Sequence, residues 1–421
     1  MKILIQQAHI IDPQSSHHGK VRDILIEGGQ IREIAEQINV QPDRLISAKG
    51  LHVSQGWVDI FSNFCDPGYE FKETLETGAA AAAAGAFTDV FIIPNTKPAI
   101  DTKAQVEYIR QKSKWLPVSV HPMGAITKNL EGKELAEMYD MHSSGAVAFA
   151  DGLNPVQSAG VLLKALQYVK AFNGVIIQIP DDKSIGANGL INEGIISTRL
   201  GLPGKPALAE ELSVARDIKL ARYAESKIHF TGISSPKSLE YVKRAKDAGL
   251  EVTCSVSPAH LFFNDEDLLN YDTNLKVYPP LRTKMMAAEL RKAVLDGTVD
   301  CIASHHLPHE FDSKVLEFEY AKFGMTGLET VYAAMKTYLP ELSEEKLNLL
   351  LSQNPRRIFS LPQDNIEAGK PCQISLFLPD SSWTYTESMT RSKSKNSPLL
   401  NRQLKGRPLG VINGEQMFLN D

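Results

Sequence analysis

The chain has 421 residues, 43% of them hydrophobic and 23% charged, with a formal net charge of −5. The length predicts two or more domains. The acidic balance and the lack of a basic run argue against a nucleic-acid binder, and no apolar stretch approaches the ~18 residues of a membrane span. The four cysteines, Cys65, Cys254, Cys301 and Cys372, are too scattered for a zinc ribbon or a disulfide framework. The start, MKILIQQAHIIDP, lacks the basic and apolar regions of a secretory leader, so a soluble cytoplasmic protein is expected.

The first fifty residues alternate in period two, as KILIQQAHII and then RDILIEGGQIREI, with Gly28-Gly29 as hairpin punctuation. Similar pieces return late, as QISLFLPD and PLGVINGEQMFL, the latter with an Asn413-Gly414 turn. The two ends therefore predict one small β-sandwich domain, residues 1–50 and 362–421, built from both termini. Between them, apolar runs alternate with amphipathic helical stretches: DVFIIPN, PVSVHPMGAI, GAVAFADG, GVIIQIPDD, KIHFTGIS, LEVTCSVSP and VDCIASHH mark the strands. Strands apolar throughout, each followed by a helix, indicate a covered parallel sheet. About eight such units predict a (β/α)8 TIM-like barrel over residues 51–361. The alanine run Ala79 to Ala84 reads as a tightly packed helix face, and RSKSKNSP from Arg391 as a solvated loop.

In such a barrel the chemistry lies where strands end and loops begin. WVDIFSNFCDPG, PNTKP, GAVAFADG, EVTCSVSPAHLFF, LKVYPPLR, VDCIASHHLPH, QNPRRIF and NSPL resemble, in this order, the bacterial dihydroorotases of the amidohydrolase superfamily. The resemblance covers nearly the whole chain. It implies a two-zinc site built from an HxH pair, a mid-barrel Asp, two further His and a final Asp, whose bridging hydroxide attacks a cyclic amide. Zinc chemistry of this kind needs about three or more protein ligands and one open position.

Mapped onto this sequence, those ligand positions are Phe61, Asn63, Asp151, Gln178, Gly232 and His305, and only Asp151 keeps the family's residue type. His305 stands where the family has its catalytic Asp. On the substrate side the resemblance points to Asn63, Cys65, Asn95, Tyr278 and His309; Cys65 replaces a carboxylate-reading Arg, and Tyr278 an Asn. Plainer roles are open for each. Asn95 suits a turn, Asp151 a strand-to-loop closure, Arg282 a loop tie, and His229 and His260 hydrogen-bonded core positions.

No bound metal is expected from this set. The one alternative cluster is HHLPH, where His305, His306 and His309 with Asp151 would form a new single-metal site. These losses predict a non-catalytic homologue; the resemblance implies a link to pyrimidine biosynthesis, a homodimer and aspartate carbamoyltransferase as a partner. The alternatives are an active metal-dependent cyclic-amide hydrolase with re-routed ligands, and a small-molecule sensor.

Overall fold

The computed structural model describes residues 1–420. An eight-stranded sheet unites the two ends of the chain. Lys2–Ile11, Val21–Glu27, Gln30–Ala35, Arg44–Ile46 and His52–Gln55 come from the start, and Gln373–Thr384, Gln403–Asn413 and Gln416–Leu419 from the end. His52–Gln55 joins the halves, parallel to the first strand and antiparallel to Gln373–Thr384, so the sheet reaches past residue 50. The first strand carries a bulge at Gln7, whose φ is +50°, and its pairing shifts register between Ile5 and Ala8. An extra residue there keeps Ala8 and Ile10 on the same face as Ile3 and Ile5. The sheet bends until Gln30 bridges Pro371, enclosing Ile5, Ile24, Val53, Ile374 and Ile412.

The insert is a parallel barrel. Trp57–Ser62, Phe87–Ile92 and Ser119–Pro122 form one arc, and Val175–Gln178, Lys227–Phe230, Val252–Val256 and Cys301–Ile302 another. The fourth unit, GAVAFADG, does not form the expected ladder. It connects the arcs by single bridges from Phe149 to Gly124 and to Ile176. On the other side Ser62 bridges His306, and Asp59 accepts from Ser304 N at 2.6 Å, Ser304 Oγ at 2.9 Å and Ser62 Oγ at 2.5 Å. The strands are buried on both faces because helices cover the outside.

The alanine-rich helix, Leu75–Ala84, shows why small residues are needed. Thr74 and Thr77 form a reciprocal cap at its start, and Ala79 and Ala81 to Ala84 are buried. The helix lies against both the barrel and the C-terminal strands of the sheet, so larger side chains would force these layers apart.

At the barrel base, Asp89 links the two domains. It accepts from Arg356 Nη2 at 2.7 Å, His121 Nε2 at 2.8 Å and Gln373 Nε2 at 2.9 Å. Burial alone would raise its carboxyl, but Arg356, His121 and Thr88 outweigh this and hold it at about 2. No helix among the described residues is long and apolar enough to cross a membrane.

Candidate active site at the barrel mouth

Phe61 projects from the first strand and is fully buried. Its ring stacks on His305, with centroids 4.6 Å apart and planes 25° from parallel. The imidazole also sits over Gly232. A Cβ on that glycine would lie 2.7 Å from His305 Cε1, and its φ of +71° suits glycine in any case. Two of the positions where the resemblance places metal ligands are thus coupled: Gly232 has no side chain, and the His305 ring takes the space.

His305 Nε2 lies 2.9 Å from Thr231 Oγ1, and its Nδ1 is buried without a partner. From Thr231 a hydrogen-bonded row continues inside the barrel through Ser255 Oγ at 2.9 Å to His229 Nε2 at 3.1 Å. His229 Nδ1 ends the row on Thr253 Oγ1 at 2.9 Å. Burial pushes both imidazoles down to about 3, with Lys246 adding to the effect at His229, so both are neutral at pH 7. His260 is likewise held by Ser257 Oγ at 2.7 Å and Pro279 O at 2.8 Å.

Asp151 is committed to neighbouring donors. Its Oδ1 accepts from Ile126 N and Thr127 N, each at 2.9 Å, and its Oδ2 from Thr127 Oγ1. Burial raises it to about 6 despite these donors. Asn95 locks the same loop, accepting from Leu153 N at 3.0 Å and donating to Asp151 O at 3.4 Å. Gly152 permits this, because a Cβ there would lie 1.8 Å from Asn95 Oδ1. Gln178 Oε1 accepts from Val156 N at 3.3 Å, and its buried Nε2 has no partner. Asn63 Oδ1 accepts from Cys65 N at 2.9 Å, and burial pushes the Cys65 thiol up to about 12, which leaves it inert.

The HHLPH histidines do not converge. His306 places Nε2 at 3.3 Å from Glu73 Oε2, while its Nδ1 accepts from Gly327 N at 3.2 Å. His309 donates from Nε2 to Phe323 O at 2.9 Å, and its Nδ1 is unpartnered. Among the described residues no three His, Cys, Asp or Glu side chains gather as a metal group. A Phe, a Gly and an Asp already committed to backbone amides do not fit a two-zinc centre, and the new single-metal set is not assembled either.

RSKSKNSP is not a solvated loop. Ser392, Ser394, Asn396 and Ser397 are buried, and the segment straps the mouth. Ser392 Oγ donates to Glu73, Lys393 N to Glu73 Oε1 at 3.0 Å, and Ser392 N to Glu329 Oε1 at 2.9 Å. Asn396 donates to Leu307 O at 3.1 Å and Gly324 O at 3.2 Å, and accepts from His309 N at 3.0 Å. Burial would raise Glu73, but His306, Ser392 and Thr77 hold it below the ordinary carboxylate range. The signal for this strap is the period-two pattern itself: Arg391, Lys393 and Lys395 alternate with small polar residues that point inward. Glu73 and Glu329 carry no comparable mark in the sequence.

A cavity of about 530 Å³ opens at the strand ends, lined by Leu153, Asp181, Lys205, Tyr278, Leu307 and Phe323 among others. Its polar wall is a linked set. Tyr278 Oη donates to Asp181 Oδ2 at 2.5 Å, and Lys205 Nζ lies 2.7 Å from Asp181 Oδ1. Behind it the buried Arg282 donates to Lys205 O at 2.9 Å and Ser234 Oγ at 2.9 Å, with Glu210 at 3.8 Å. Lys205 and Asp181 do not stand out in the sequence, because they meet only through folding.

A closed parallel barrel with a sheet domain from both termini defines the class: this is the hydantoinase-type architecture. The chain matches an L-hydantoinase (dihydropyrimidinase) from Arthrobacter aurescens with a TM-score of 0.86 at 23% identity, covering 99% of this chain and 96% of that one. A D-hydantoinase (dihydropyrimidinase) from Thermus sp. gives 0.83 at 18%, covering 100% and 95%. In sequence, a family model described as dihydro-orotase-like matches residues 51–238. A dihydroorotase of Syntrophus aciditrophicus (strain SB) is 38% identical over 427 residues, covering 100% of both chains. One of Pelotomaculum thermopropionicum is 38% identical over 426 residues, covering 100% of this chain and 99% of that one.

The chain belongs to the dihydroorotase family of the amidohydrolase superfamily. These relatives correct the expectation of a non-catalytic homologue. End-to-end similarity to proteins curated as dihydroorotases supports the active cyclic-amide hydrolase reading instead.

Proposed function

We propose that the chain opens and closes the cyclic amide of a dihydropyrimidine, a reaction of the dihydroorotase type, with the ring held in the barrel-mouth pocket. The observation that carries this reading is the full-length relationship, at 38% identity, to curated dihydroorotases. The pocket's chemistry is compatible. Leu153, Leu307 and Phe323 offer apolar contact to a ring, while Asp181 and Tyr278 offer an acceptor and a hydroxyl to its amide edge. Lys183 at the rim supplies the positive charge that a carboxylate needs, in place of the arginine lost at Cys65, while Lys205 is already paired with Asp181. A cytoplasmic homodimer goes with this reading, and light scattering of the purified chain checks the assembly.

The test is direct. The chain, as isolated and after zinc addition, is incubated with dihydroorotate and separately with carbamoyl aspartate, and the other compound is quantified. Saturable turnover that falls about tenfold or more in Lys183→Gln supports the reading. Absence of turnover in both directions, with and without zinc, overturns it.

A further inference from the structure

A second cavity, of about 550 Å³, lies on the other side of the 307–324 loop from the mouth pocket. His309, Lys314, Lys393, Lys395 and Asn396 line it, and Phe71 and Phe311 stand at its lip, 56% and 76% exposed. Its lysines are unusual in what they touch. Lys314 is only 5% exposed, yet its Nζ meets only carbonyls, Lys322 O at 2.8 Å and Gly324 O at 2.9 Å. Behind it Lys276, 2% exposed, meets Phe318 O at 2.6 Å and Glu319 O at 3.1 Å. Lys393 and Lys395 reach Glu70 O at 2.7 Å and Thr390 O at 3.0 Å. Lys72 lies over the Tyr69 and Phe71 rings at 5.4 and 5.6 Å.

None of these lysines is paired with a carboxylate among the described residues. The acidic lining groups are Glu310, whose Oε1 accepts from Ser313 while its buried Oε2 has no partner, and Glu387. The Lys314 ammonium is withdrawn from water with only backbone carbonyls in bonding distance, and a bound anion offsets that cost. The His309 Nδ1 in the same wall is an acceptor without a donor, suited to a hydroxyl on the ligand.

We propose that this cavity binds a small anion with an aromatic body, of the nucleoside monophosphate class, its phosphate among Lys314, Lys393 and Lys395 and its base against Phe71 and Phe311. The cavity is distinct from the mouth pocket and shares with the substrate-side positions only His309.

The probes are adenosine and uridine 5′-monophosphates, with inorganic phosphate and the two nucleosides as partial ligands, titrated against the intact chain by calorimetry. The expected result is saturable nucleotide binding, tighter by about tenfold or more than either part alone. The double variant Lys393→Gln/Lys395→Gln changes side chains outside the core and is expected to weaken binding by at least about tenfold while the melting temperature of the free chain holds. Phosphate binding as tight as the nucleotides, no saturable binding, or binding unchanged in the double variant would each overturn the proposal.

Discussion

The centre and the base of this barrel handle buried polarity in opposite ways. At the centre, Phe61, Gly232 and a neutral His305 leave little charge to neutralise. At the base, Asp89 keeps its charge and is surrounded by Arg356, His121 and Gln373. A buried carboxylate is tolerable only with its full set of donors, whereas a neutral aromatic filling needs shape alone. The first arrangement fails when a partner is removed, the second when the volume changes.

Breaking the base is expected to have the largest effect. Arg356→Met leaves the buried Asp89 without its guanidinium, with His121, Gln373 and Thr88 as its remaining partners, and chemical denaturation is expected to show a loss of about 3–5 kcal/mol. The pH dependence sharpens the point. Asp89 at about 2 lies below the ordinary carboxylate value of about 3.9, so its contribution is complete above that value and fades as pH falls toward 2. In Arg356→Met that acid-side loss is expected to shrink.

At the centre, Gly232→Ala pushes a methyl into His305 and strains a left-handed backbone, for a cost of about 1–3 kcal/mol. His305→Ala in the same chain is expected to relieve the collision. A double-mutant cycle should then show coupling of about 0.5 kcal/mol or more; strict additivity would mean that the ring does not occupy this space.

Asn396→Ala removes the strap's bonds to Leu307, Gly324 and His309. The expected loss is about 1–3 kcal/mol, with faster amide exchange confined to the strap and the 307–324 loop. The smallest effect concerns Asp151. Its raised value of about 6 means that it opposes folding in full above pH 6 and progressively less as pH falls toward about 4. Asp151→Asn is expected to flatten that part of the stability profile and to change neutral-pH stability little.

The barrel was legible in the sequence because its strands are apolar on both faces and each is followed by a helix. The fourth strand was over-read, since GAVAFADG has the composition of a strand but makes only single bridges. The chemistry of Phe61 and Gly232 is also legible in the sequence, because neither can bind metal wherever it points. What those absences mean for activity was misjudged, and the full-length relatives supplied the correction. The Lys205–Asp181–Tyr278 wall was hidden because tertiary folding alone brings residue 205 beside residue 181. The strap resembles a solvated loop in composition because its charged residues alternate with the small ones that are buried.

The sheet shared by both ends of the chain sets a timetable for synthesis. His52–Gln55 pairs with Gln373–Thr384, so its outer edge stays open until nearly the whole protein has left the ribosome. At about 5–20 residues per second that is tens of seconds during which a strand edge has no partner. The barrel between them can assemble in that interval, and the C-terminal strands then arrive to close a domain that was begun first.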